Sequence, residues 1–157
     1  MKMSEKFQIC AGNIIEKNGK FILVQETKEI VKGKYNLPSG RLEAEEEIID
    51  AAAREAEEET GLKVRPKYLV GVYQRTLVPE GNNIVTFVFA SEIISGEVET
   101  SAEHPVVKFF SFKEIKDMEK EGLLRTVWLP EVIDDYLSEV RYDLGIIKSY
   151  LVNKSDL

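Results

Sequence analysis

The sequence predicts an α/β fold in which helices cover a mixed central β-sheet. Three observations carry that expectation. Short apolar, β-branched runs open the chain and resume after its first third. One Ala- and Glu-rich stretch, 47–60, interrupts them with the composition of a helix. Two more helical stretches close the chain, so strands, a helix, strands and helices follow in the order expected of a sheet packed between helical layers.

Phe7 to Ile15 reads as the first strand, ending at Asn18-Gly19, a hairpin turn signal. Phe21 to Val24 is the returning strand, and Lys28 to Lys34 is polar and loop-like. Tyr35 to Gly40 holds Pro38 and Gly40, which break regular structure. Glu47 to Thr60 is the helix, and Gly61 stands where it should stop. Leu62 to Val78 reads as one or two strands, and 79–83 as a turn. Ile84 to Ile94 is a buried strand, Gly96 opens a turn, and Val106 to Phe112 is a further strand. Phe112 to Glu119 and Pro130 to Val140 read as helices, with Pro130 suited to a first turn. The tail to Leu157 reads either way. With no internal repeat, linker or low-complexity segment, and about 150 residues as a usual domain length, 1–157 is expected to be one domain.

Composition narrows the function classes. The net charge of -7 disfavours binding to a nucleic-acid polymer, because an acidic surface repels phosphates unless a cation bridges them. One cysteine, Cys10, inside an apolar run reads as a core residue, and with a single histidine, His104, a zinc site has too few ligands. No apolar run approaches the ~20 residues that span a bilayer, so no membrane partner is expected. The amino terminus lacks a signal-peptide pattern, and a cytoplasmic location is the expectation.

The helix carries the chemistry. At about 100° per residue, Glu58 and Glu59 fall on either side of Glu55, so three carboxylates share one face while Glu57 points elsewhere. Ile48, Ile49, Ala52 and Ala56 form the adjacent apolar stripe, expected to face the sheet. Like charges this close destabilise a helix unless something compensates them. Oxygen-only ligands suit a hard cation such as Mg²⁺ or Mn²⁺. Taken alone, Glu57-Glu58-Glu59 favours the plain reading of a solvated helix face.

The wider spacing overturns that reading. Gly40, Glu46, Arg54-Glu55, Glu58-Glu59 and Gly61-Leu62 stand at the spacing of the box that defines the Nudix hydrolases, and the sequence resembles that family. Every fixed position is met; only Ala56 is smaller than the usual aliphatic, a difference of packing and not of chemistry. The resemblance implies a Nudix-type α/β/α sandwich. It also implies hydrolysis of a phosphoanhydride bond by water attack at phosphorus, with Mg²⁺ or Mn²⁺ as cofactor.

By the same resemblance Glu55, Glu58 and Glu59 are metal ligands, and Glu55 or Glu58 orients or deprotonates the water. The backbone carbonyl of Ser39 completes the site, and Gly40 permits the close turn. Arg54 and Glu46 hold the carboxylates in place; the plain alternative for Arg54 is a surface ion pair. A further acid from a late loop is common in the family, and Glu103, before the last strand, is the candidate. The neighbouring His104 reads as structural or as a general base. Tyr35, Arg41 and Arg75 are candidate substrate contacts, with core packing or solvated surface as the alternative.

Asn36 to Ala44 and Ala51 to Glu55 resemble the branch of broad-specificity nucleoside di- and triphosphate phosphatases that also take hydroxymethylpyrimidine pyrophosphate. Tyr35 and Ser39 depart from that branch, which carries a bulkier aromatic and an alanine. The expected partner is therefore a small nucleotide or pyrophosphate. ADP-ribose or another nucleoside-diphosphate-linked pyrophosphate is the alternative substrate. A non-catalytic nucleotide sensor is the alternative class, but such modules usually lose a box carboxylate and none is lost here. Family members are often dimers, so the resemblance admits a homodimer.

Overall fold

The computed structural model describes residues 7–79 and 81–157. Strand β1 (Phe7–Ile14) leads through β2 (Glu16–Lys17) into β3 (Lys20–Gln25). Asn18 and Gly19 between them have φ of 53° and 73°. Left-handed backbone at both positions is why Asn-Gly suits this tight turn. The loop that follows holds a 3-10 turn, Glu29–Val31. The segment read as irregular contains two short strands, β4 (Tyr35–Asn36) and β5 (Ser39–Arg41), on either side of Pro38.

Helix α1 (Ile48–Thr60) ends at Gly61, whose φ of 77° is the left-handed conformation of a helix stop. Strand β6 (Lys63–Leu77) is continuous, but its register shifts three times. Pro66 lies in it without breaking the sheet, because β6 is an edge strand and Pro there has a side without a partner. Strand β7 (Asn82–Ser95) begins inside the segment read as a turn. Strand β8 (Val107–Ser111) ends at Ser111, which caps α2 (Phe112–Lys120) through a reciprocal box with Glu114. Helix α3 (Leu129–Leu137) has Pro130 in its first turn, and the tail forms 3-10 turns at Leu144–Ile146 and Lys154–Asp156.

The strands form two sheets. The first, β5-β1-β7-β6, is mixed: β1 runs parallel to β7, and the other pairs are antiparallel. The second joins β2, β4 and β8 to β3, all antiparallel. Helix α1 covers one side of both. Ile48, Ala51 and Ala52 pack on Ala11, Leu69 and Phe89, and Ala56 packs with Ile22, Val24 and Val64. The small side chains let the helix axis approach the strands closely. Ala51 joins the expected stripe as fully buried, whereas Ile49 is only partly so.

On the other side, Ile115 of α2 and Leu129, Val132 and Ile133 of α3 pack against Ile14, Leu23, Val88 and Phe110. The result is the expected α/β/α sandwich. Among the described residues no helix is long and apolar enough to cross a membrane.

Candidate active site

The entry to α1 is held by one arginine. Arg54 donates from Nε and Nη2 to the two oxygens of Glu46, at 2.6 and 3.0 Å. Its Nη1 donates to Glu55 at 2.7 Å and to Glu58 at 3.2 Å, and its Nη2 reaches the Arg41 carbonyl at 3.0 Å. Glu46 in turn accepts from the Glu43 backbone at 3.0 Å. A planar guanidinium matches this fork of acceptors, so one side chain ties β5, the loop after it and two turns of α1 together. The Arg54 bond holds the Glu46 carboxyl below the usual carboxylate range.

The three aligned acids sit in different surroundings. Burial pushes the Glu55 carboxyl up; Arg54 opposes, and the like charges of Glu59 and Glu58 add to the rise. Gly40 makes room for it, since a Cβ at Gly40 would lie 2.1 Å from the Glu55 carboxyl carbon. Glu59 is more enclosed, and burial pushes its carboxyl up as well, against the pull of His104. The Ser39 N–H donates to Glu59 at 3.0 Å, and His104 Nε2 stands 3.5 Å from its other oxygen. Glu58 is 58% exposed and, among the described residues, tied only to Arg54. Glu57 faces away and pairs loosely with Lys63 at 3.7 Å.

Among the described residues no three His, Cys, Asp or Glu side chains stand ready-made around one cation. The donor chemistry nevertheless fits a hard divalent ion. Glu55 and Glu59 are half-buried or more, both are pushed toward the neutral form, and all donors are oxygens. A cation between like-charged buried carboxylates would reverse that push.

These residues border a cleft of about 800 Å³. Its floor follows from strand register, because residues opposite one another on paired strands point to the same face. One row across the first sheet is Arg41, Cys10, Thr86 and Tyr73. The next row on that face is Gln8, Ile84 and Arg75, and the row on the other side begins Ser39, Gly12, Val88. Cys10, read as a core residue, is therefore half-buried on the cleft floor.

The fold brings Ser39, Gly40, Arg41, Glu55, Glu59, Arg75 and Glu103 to this cleft. Glu58 does not line it. Tyr35 does not either: its ring packs edge-on against Phe110, with centroids 5.4 Å apart. Glu103 is exposed, and its carbonyl accepts from Thr27 Oγ1 at 3.0 Å.

Residues 6–128 match the NUDIX domain. The chain belongs to the Nudix family. It is similar to the phosphatase NudJ of Shigella boydii serotype 4, at 33% identity over 149 residues that cover 92% of this chain and 93% of that one. NudJ of Escherichia coli K12 is 32% identical over the same length. Among solved structures, a NUDIX hydrolase from Nitrosomonas europaea superposes with a TM-score of 0.84 at 32% identity, covering 92% of this chain and 98% of that one. A MutT protein from Methanosarcina mazei Go1 shares the fold, with a TM-score of 0.73 at 23% identity and coverage of 88% and 98%. This Nudix protein is a hydrolase acting on pyrophosphate linkages, and hydrolases of the family generally need a divalent metal.

Two pairings in this Nudix site escape a reading of the sequence. His104 is buried, with Nδ1 at 3.1 Å from the Gln25 carbonyl and Nε2 toward Glu59. Both ring nitrogens face acceptors, so the Glu59 contact first, helped by Gln25, raises its pKa above the usual histidine value. Arg125 enters the cleft wall and pairs with Glu26, a carboxylate that is 4% exposed. In sequence, nothing pairs His104 with Glu59 or Arg125 with Glu26.

Proposed function

We propose that this Nudix hydrolase cuts a phosphoanhydride bond in a nucleoside di- or triphosphate or a related organic pyrophosphate, with Mg²⁺ or Mn²⁺ held by the α1 acids. The observation that carries the reading is the pair Glu55 and Glu59, enclosed in one cleft wall and both pushed up by burial. The resemblance of the chain to NudJ phosphatases favours this substrate class over ADP-ribose.

Glu55, Glu58, Glu59, the Ser39 carbonyl and Glu103 are the groups we assign to the cation. When bound, it neutralises phosphate charge and lowers the pKa of a bound water. Glu55 or Glu58 orients the attacking water and takes its proton. Arg54 fixes Glu55 and Glu58 relative to the β5 loop and is itself fixed by Glu46; Gly40 leaves Glu55 its space. Arg41 and Arg75, both on the cleft floor, meet the substrate's charge.

Phosphate release with Mg²⁺ and with Mn²⁺ tests the proposal. The panel is nucleoside di- and triphosphates, ADP-ribose, dinucleoside polyphosphates and hydroxymethylpyrimidine pyrophosphate. Turnover of the di- or triphosphates or of the pyrimidine pyrophosphate is expected, and Glu58→Gln should lower it by orders of magnitude in a folded protein. Hydrolysis of ADP-ribose alone would move the substrate assignment. No hydrolysis of any compound would favour a nucleotide-sensing domain.

A further inference from the structure

The cleft has a cationic side that the metal reading does not use. Arg75 stands in β6, at the sheet edge opposite β5, where Gly40 meets Glu55. Three strand spacings, about 14 Å, separate the two edges. Arg125 arrives from the other sheet: its N–H donates to the Tyr35 carbonyl at 2.9 Å, and its side chain is braced by buried Glu26. Both arginines line the cleft whose floor carries Cys10, Arg75 from the strand row next to that of Cys10, and the positive charges of Arg41, Arg75 and Arg125 all bear on its thiol.

Arg75 is half-buried, and among the described residues its guanidinium has no acidic partner. Burial first, then the like charge of Arg125, hold it below the usual arginine range. In a chain of net charge -7, acids to pair with an arginine are plentiful. Arg125 has one and Arg75 does not. An unpaired guanidinium in a half-enclosed cleft is unfavourable unless an anion joins it there.

We propose that Arg75 and Arg125 form an anion subsite that binds a phosphate of the substrate other than the one held at the α1 acids. This rests on the hydrolase reading for its role but not for its existence. Glu26 orients Arg125, and Arg75 supplies the uncompensated charge. The subsite makes Arg75 a specificity residue: it favours polyphosphate substrates over those whose remaining part is neutral.

Cys10 is the sole cysteine of the chain and shares the cleft with both arginines, so its alkylation by iodoacetamide reports occupancy without turnover. With EDTA present, inorganic tripolyphosphate should slow that alkylation severalfold. Arg75→Gln should raise the tripolyphosphate concentration needed about tenfold, and Arg75→Lys should recover part of it. The comparison is the ratio of rates with and without tripolyphosphate, because removing Arg75 also alters the resting thiol. Arg125→Gln alone would strand Glu26, so the paired variant Glu26→Gln/Arg125→Gln is the second probe and should weaken protection likewise. No protection in the unmodified chain, or protection of the Arg75→Gln and paired variants as strong as that of the unmodified chain, overturns the subsite. Protection without any hydrolysis would keep the subsite and discard the hydrolase reading; hydrolysis without protection would do the reverse.

Discussion

Gly40 and Glu55 are fitted to one another: a Cβ on Gly40 would lie 2.1 Å from the Glu55 carboxyl carbon and from one of its oxygens. The clash is with the end of a side chain, not with backbone. Gly40 also lies outside the positive-φ glycines, so alanine suits its backbone. Gly40→Ala should therefore displace Glu55 and spare the fold. Turnover is expected to fall about 10–100-fold, the usual effect of disturbing the support of a ligand. The melting temperature should move by no more than a few degrees. A melting temperature lowered as much as activity would show that Gly40 serves the fold and not Glu55.

Arg54 engages four groups at once, Glu46, Glu55, Glu58 and the Arg41 carbonyl, and holds the first through a fork of two nitrogens and two oxygens. Lysine keeps the charge but cannot reproduce the fork. Arg54→Lys is expected to weaken the apparent Mg²⁺ affinity in the hydrolysis assay by about 10–100-fold. Its stability should change little, since Glu46 and Glu58 reach solvent in part. An unchanged Mg²⁺ dependence would reduce Arg54 to the ordinary ion pair that its place on a charged helix suggests.

The box was legible because its chemistry is local. Residues three and four apart on a helix share a face whatever the rest of the chain does, so Glu55, Glu58 and Glu59 could be aligned from spacing, and Glu57 set apart. The long strands and helices were legible for the same reason. Strands β4 and β5, of two and three residues, were not, because no periodicity develops over such lengths. Cys10 looked like core since its neighbours are apolar, yet alternation along β1 puts Ala11 under α1 and Cys10 on the cleft floor. The Arg125–Glu26 pair joins residues 99 positions apart, and His104 meets Glu59 across two elements. Such partners are chosen by strand order and register, which sequence periodicity does not specify.

Asn13 is a second case of that kind, and it yields a stability prediction. It lies in β1, is fully buried, and is the only polar side chain in the stretch Ala11–Ile15. Its Nδ2 donates to the Ala52 carbonyl at 2.8 Å and to the Pro38 carbonyl at 3.4 Å, and its Oδ1 accepts from Ser91 Oγ at 2.8 Å. It thus links β1, α1, β7 and the segment before Ser39. Asn13→Leu would leave the Ser91 hydroxyl without its acceptor, a loss of about 1–3 kcal/mol. Urea unfolding should show the midpoint falling by that loss divided by the slope, with the slope itself unchanged. Replacing Ser91 by alanine as well should recover part of the loss, because no buried donor then remains unpaired; a fully additive double variant would count against the network.

Two half-buried phenols, Tyr73 and Tyr136, are expected to make the stability of the fold fall at alkaline pH. Burial first, then the bond from Tyr73 to Asp135 at 2.7 Å, pushes the Tyr73 pKa well above the ordinary phenol range. Tyr136 is raised in the same way, by burial and by its bond to Glu16 at 2.6 Å. In the unfolded chain both ionise near pH 10. Above that pH the unfolded state releases protons that the folded state keeps, so the stability is whole below pH 10 and is lost as pH rises toward the folded values. Urea midpoints at pH 8, 10 and 11 should therefore fall over the last step. The double variant Tyr73→Phe/Tyr136→Phe should fall less steeply, whatever its midpoint at pH 8. Equal slopes for the two proteins would place the alkaline sensitivity in other groups, because only a proton that the folded chain retains can make stability depend on pH in this direction.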